Sequence, residues 1–177
     1  MSSLALILGG ARSGKSRRAE ALARESGMEV VYLATAEPID DEMAARIARH
    51  REDRAAHGWA TVEEPLDLAG TLAREARPGR IVLVECLTTW LTNLMVHGHD
   101  IDAAATALLD WCDAPSGPAI LVSNEVGFGI VPEHKMAREF RDHAGRLHQR
   151  IAEHARRVEL VVAGLPMVVK NSDRRQG

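Results

Sequence analysis

The sequence predicts an α/β fold, a mostly parallel β-sheet flanked by helices in three layers. Three observations carry that expectation. Short apolar runs alternate with stretches of helical periodicity along the chain. The runs are nearly continuous in Val, Leu, Ile and Ala, the composition of strands covered on both faces. The first run leads into Gly9-Gly10-Ala11-Arg12-Ser13-Gly14-Lys15-Ser16, which matches the strand–GxxxxGK[ST]–helix pattern.

Taken in order, the expected strands are Leu4–Leu8, Glu29–Ala34, Ile81–Glu85, Ala119–Asn124 and Glu159–Ala163. Helical patterns fall at Lys15–Glu25, Asp41–Ala56, Leu66–Ala76, Leu87–Val96, Ala103–Cys112 and Glu133–Arg157. Gly and Pro mark the loops: Pro78-Gly79 before the third strand, Pro115–Pro118 before the fourth, and Pro132 at the start of the last helix. The polar tail Asn171–Gly177 is expected to fray. No repeat, low-complexity stretch or boundary divides the 177 residues, so 1–177 is expected to form one domain.

Composition narrows the function. A formal charge of −3 gives no broad basic surface for nucleic acid or an anionic membrane, though it leaves room for a local anion pocket. No apolar run approaches the ~20 residues of a membrane span, and Met1-Ser2-Ser3 has no signal-peptide character. Cys86 and Cys112 lie in apolar segments without a CxxC, which suggests buried thiols in a reducing cytoplasm.

Each position of the 9–16 turn has a physical reason. Gly9 and Gly14 let the backbone turn its N–H groups towards phosphate oxygens. Lys15 reaches the β- and γ-phosphates, and the Ser16 hydroxyl holds Mg²⁺. The helix that starts here adds its positive end. The plain alternative, a turn that merely joins strand to helix, does not require this spacing. A P-loop NTPase of RecA-like architecture is therefore expected, binding a purine nucleoside triphosphate such as GTP or ATP with Mg²⁺. A second acidic residue should sit at a strand end to support the metal. Glu85 closes an apolar strand and fills that place, the alternative being a Glu that begins the next helix. Glu125 follows the fourth strand, so the ends of three strands are expected to meet in one crevice.

In the segment from Asp40 to Arg54, Met43, Ile47, His50 and Arg54 share a sector of about 60° on a helix, with Arg46 beside it. Arginines on an inward face need an anionic partner, and a triphosphate would serve. Arginines nearby would keep the His50 imidazole neutral, able to attack phosphorus and form a phosphoramidate. A packed or hydrogen-bonded helix histidine is the alternative. The other seven histidines show no convincing zinc spacing.

A longer set of residues carries a resemblance. Gly9–Ser16, Ala34-Thr35-Ala36, Asp41-Glu42-Met43, Arg46-Ile47, His50-Arg51, Trp59 through Glu63-Glu64-Pro65, Glu85-Cys86-Leu87-Thr88-Thr89-Trp90, Thr92-Asn93-Leu94 and Ser123–Pro132 follow one another in order. Arg138, Phe140-Arg141-Asp142 and Gly145-Arg146 extend the pattern, so that it runs from Leu4 to about Lys170. The chain resembles the bifunctional adenosylcobinamide kinase/adenosylcobinamide-phosphate guanylyltransferases of cobalamin biosynthesis. The resemblance implies two reactions. A nucleoside triphosphate phosphorylates the aminopropanol hydroxyl of adenosylcobinamide, and a histidine then carries GMP from GTP to adenosylcobinamide phosphate. It also implies His50 as the guanylylated residue. The implied GTP contacts are Gly9, Gly10, Ala11, Arg12, Ser13, Gly14, Lys15, Ser16, Ala34, Thr35, Ala36, Arg51, Glu52, Asp53, Arg54, Glu63 and Glu85, in a homotrimer. Arg49 stands where some relatives carry a second histidine, and Gly58 is an extra residue before Trp59. Trp59, Trp90 and Phe128 are candidates to stack on the corrinoid, with packing as the ordinary alternative. Two other readings remain: a P-loop kinase for another small alcohol with a structural His50, or a nucleotide switch. No basic loop with interleaved aromatics supports nucleic-acid binding.

Overall fold

The structure, a computed structural model, describes residues 4–38 and 58–172. The strands are β1 (Leu4–Gly9), β2 (Glu29–Ala34), β3 (Ala60–Glu63), β4 (Arg80–Glu85), β5 (Ala119–Asn124), β6 (Arg157–Val162) and β7 (Leu165–Asn171). The helices are α1 (Lys15–Glu25), α2 (Leu68–Glu75), α3 (Leu87–Val96), α4 (Ile101–Asp113) and α5 (Lys135–His154). One seven-stranded sheet runs β3-β2-β4-β5-β1-β6-β7, and every pairing is parallel except β6–β7. That is the mostly parallel P-loop sheet expected from the sequence. The expected helix Asp41–Ala56, with His50 on it, lies outside the described residues.

Each face of the sheet has its own core. On one, Ala19 and Ala23 of α1 pack against Ile7, Leu83, Ile120 and Val122. On the other, Leu72 of α2, Trp90 and Leu91 of α3, Leu108 of α4 and Leu147 and Ile151 of α5 cover Leu6, Leu33, Val84 and Leu121. Helices on both faces make the three layers, and explain why β1, β2, β4 and β5 are almost wholly apolar.

Several boundaries differ from those the sequence suggests. Asp67 caps α2 by accepting from the Gly70 N–H (3.0 Å), so the helix begins at Leu68 rather than Leu66. Asp100 caps α4 in the same way through Ala103 (2.9 Å), starting it two residues earlier than expected. The last helix occupies 135–154 rather than 133–157, because Arg157 already belongs to β6. Strands β3 and β7 were not expected at all. Both are sheet edges: β3 is a four-residue, largely exposed strand, and β7 is an apolar run interrupted by Pro166, which reads as a break in a strand pattern. Pro166 is tolerated in β7 because an edge strand has one side with no ladder partner. Cys86 and Cys112 are both buried free thiols. Among the described residues, no helix is long and apolar enough to cross a membrane.

Candidate active site

Parallel strands bring their carboxyl ends to one edge, and the residues singled out in the sequence collect there. The 9–16 turn follows β1. Gly14 has φ +93° and caps α1, and a Cβ there would lie 3.1 Å from Gly164 in the β6–β7 turn. A Cβ on Gly9 would press on the Ser13 hydroxyl and come within 2.8 Å of the Val161 carbonyl. The Gly164 N–H donates to the Ser13 carbonyl at 2.8 Å, which pins the turn to β6–β7. Lys15 is only 8% exposed, and among the described residues its ammonium has one acceptor, the Gly10 carbonyl at 3.3 Å. A buried ammonium with donors to spare is a site for an anion.

Ser16, one residue further on, donates its hydroxyl to Glu85 Oε1 at 2.8 Å. Sixty-nine positions apart in sequence, these residues meet because β4 and β1 stand on either side of β5. A hydroxyl and a carboxylate are hard oxygen donors, the chemistry that holds Mg²⁺ near phosphates.

Glu85 is held by a lattice the sequence did not reveal. Thr35, fully buried, donates its hydroxyl to the Cys86 carbonyl (2.9 Å), with the Glu85 carbonyl at 3.1 Å, and accepts from the Cys86 N–H at 2.9 Å. The Thr35 N–H donates to the Glu85 carbonyl (3.0 Å), and Asn93 Nδ2 donates to the Thr35 carbonyl at 2.7 Å. Thr35 therefore directs its polar groups at the β4–α3 junction. Asn124 Nδ2 donates to the Thr88 hydroxyl at 2.7 Å, joining β5 to the same junction. These bonds cross 36 to 58 positions of sequence, and no local pattern could have announced them.

At the opposite side of the turn, Arg18 of α1 and Arg157 converge on Glu159 of β6, which is wholly buried. Arg18 Nε donates to Glu159 Oε2 at 2.8 Å and Arg157 Nε to Oε1 at 2.7 Å. Burial alone would raise the Glu159 pKa, but the bonds from Arg18 and Arg157 outweigh it and hold the carboxyl below its usual range. Arg18 is correspondingly raised, chiefly by its bond to Glu159. The triad fastens the first half of α1, and so the turn before it, to the sheet.

The remaining expected positions separate. Ala34 is buried and Ala36 half-buried at the end of β2. Glu63 ends the edge strand β3, exposed and four strands from β1. His50, Arg51, Glu52, Asp53 and Arg54 lie outside the described residues. Trp90 is core, its Nε1 donating to the Leu66 carbonyl at 2.8 Å, and Trp59 is half-buried against the α1-side core. Phe128 is 83% exposed, so of the three aromatics only this one stands free of the core.

A scan against protein families matches residues 5–169 to cobinamide kinase / cobinamide phosphate guanyltransferase. The chain belongs to this family. The bifunctional adenosylcobalamin biosynthesis protein CobP of Pseudomonas aeruginosa is 56% identical over 167 residues, 93% of this chain and 96% of that protein. CobU of Escherichia coli, another bifunctional adenosylcobalamin biosynthesis protein, is 44% identical over 180 residues, with 93% and 98% covered. In fold, a solved Pyrococcus horikoshii protein is similar at a TM-score of 0.55 and 9% identity, over 96% of this chain and 86% of that one. Within this cobinamide kinase/guanyltransferase chain, the family match includes the nucleotide turn, Glu85 and the 123–132 segment alike.

Proposed function

We propose that this chain phosphorylates the terminal hydroxyl of adenosylcobinamide with a nucleoside triphosphate, ATP or GTP, and then transfers GMP from GTP to adenosylcobinamide phosphate through a GMP–His50 intermediate. The observation that carries the first half is the Ser16–Glu85 pair, 2.8 Å apart beside the buried Lys15. Lys15 and the N–H groups of residues 10–15 would bind the β- and γ-phosphates, with Ala34, Ala36 and Glu63 further along the same sheet edge and the buried Thr35 supporting that edge from within. Ser16 and Glu85 fit Mg²⁺, which would neutralise phosphate charge as the acceptor displaces the nucleoside diphosphate in line. Family membership supports the substrate.

In the second half a neutral His50 nitrogen attacks the α-phosphorus of GTP, and pyrophosphate leaves with the electron pair of the broken P–O bond. A phosphate oxygen of adenosylcobinamide phosphate then displaces the histidine, giving adenosylcobinamide-GDP. Arg51 and Arg54 would pair with phosphate, and Glu52 and Asp53 complete the nucleotide contacts that the family resemblance implies. GTP labelled at the α-phosphate is expected to leave an acid-labile, base-stable label on the protein. Wild-type protein that phosphorylates adenosylcobinamide yet takes up no label would remove the guanylyl half. Undiminished labelling of His50→Ala would remove the residue assignment.

We further infer a homotrimer. Support comes from the exposed apolar residues of the outermost hairpin, Val162, Leu165, Met167, Val168 and Val169. Light scattering of the full chain should give a mass near three chains, and a monomer at micromolar concentration would refute it.

A further inference from the structure

The kinase reaction must remove a proton from an alcohol, and among the described residues Lys15, Ser16 and Glu85 already have other work at the phosphate turn. Glu85 accepts from Ser16 at 2.8 Å and is committed to the metal side of the site. Lys15 and Ser16 are donors in this setting. Among the described residues, the strand-end carboxylates can be ranked by strand position. Strands sit about 4.8 Å apart, so Glu63, four strands from β1, is about 19 Å away. Glu125 follows β5, the immediate neighbour of β1. Asn124 is in register with Gly9, and the Glu125 N–H donates to the Gly9 carbonyl at 3.0 Å, so Glu125 abuts the first residue of the phosphate turn.

The Glu125 carboxylate is half-buried, and its two oxygens are not equivalent. Oε1 accepts from the Gly127 N–H at 2.5 Å, which fixes the group against its own loop. Oε2 has no hydrogen-bond partner among the described residues. The loop beyond is open: Phe128 is 83% and Ile130 97% exposed, so an acceptor can approach the carboxylate from solvent. A carboxylate anchored through one oxygen, with the other available beside a phosphate turn, is the arrangement a proton acceptor needs.

We propose that Glu125 is the general base of the kinase step, a role that rests on the kinase reading above. The acceptor O–H bond breaks as its proton passes to Glu125 Oε2, and the oxygen bonds to the γ-phosphorus. The bridging P–O bond breaks and its electron pair leaves with the nucleoside diphosphate. Glu125 then returns the proton to water.

The test measures ATP-dependent phosphorylation of adenosylcobinamide, nucleotide KM and α-GTP labelling in full-length wild type, Glu125→Gln and Glu125→Asp. Gln keeps the acceptor for Gly127 but is a far weaker base. It should lower kcat for phosphorylation at least ~100-fold, within the span general-base catalysis supplies. Nucleotide KM and protein labelling, which involve no acceptor hydroxyl, should stay within ~3-fold. Asp, which keeps a carboxylate, should recover at least ~10-fold over Gln. A Gln variant within ~3-fold of wild type, or one as active as Asp, overturns the assignment. So does a parallel loss of labelling, which would mark Glu125 as structural. Wild-type protein that does not phosphorylate adenosylcobinamide would instead refute the kinase reading itself, before any variant is compared.

Discussion

Replacing Thr35 with Val tests whether the end of β2 acts on the site by holding Glu85. The two side chains have nearly the same shape, so the change removes the hydroxyl and little else. Lost with it are the bond to the Cys86 carbonyl at 2.9 Å and the acceptor for the Cys86 N–H at 2.9 Å. Both partners lie where Thr35 is fully buried and Cys86 nearly so. An unsatisfied buried N–H costs about 1–3 kcal/mol and the lost donor bond about 0.5–1.5, partly offset by the gain from burying a methyl. The expected net loss is about 1–3 kcal/mol, or a drop in Tm of about 3–10 °C for a domain this size. Urea titration of wild type and variant, fitted with a common slope, measures it. Because Thr35 directs its polar groups inward, nucleotide affinity below the transition should change less than ~3-fold, while turnover falls as Glu85 loosens against Ser16. A stability loss under about 0.5 kcal/mol would refute the clasp. A tenfold weaker nucleotide affinity in folded variant would show that Thr35 touches the nucleotide directly.

Two further outcomes follow from the buried titratable groups. Glu159→Gln leaves two arginines facing a neutral amide and should lower stability by about 2–4 kcal/mol at neutral pH, read by urea unfolding. Because the folded Glu159 pKa lies below the unfolded value, its contribution is present above about pH 4.3 and fades as pH falls through the folded pKa. The gap between wild type and variant should therefore shrink in acid, and a gap that widened there would refute the pairing. Burial pushes the Cys112 thiol up to about 12, so its thiolate is scarce at pH 8. Native protein should leave Cys112 unmodified by iodoacetamide over a period in which urea-unfolded protein reacts fully, as peptide mapping would show.

Much of this protein was written locally in its sequence. The strands β1, β2, β4 and β5 had to be apolar on both faces, and glycine had to stand at Gly9 and Gly14 for backbone geometry that no side chain would permit. Such demands act within a few residues, so β1, the turn and α1 were legible together. The edge strands β3 and β7 were not, because β3 is short and largely exposed and Pro166 breaks the β7 run. Glu159 looked like a polar interruption of an apolar strand, and only packing α1 beside β6 gives it Arg18 as a partner 141 positions away. Likewise Glu125 was recognisable as a strand-end carboxylate, but its nearness to the phosphate turn depends on β5 lying between β1 and β4. By itself the sequence determined which residues could bend, bury or bind, because those are properties of short segments. Strand order decided which of them meet, because a parallel sheet joins distant segments side by side and only the folded chain specifies who stands next to whom.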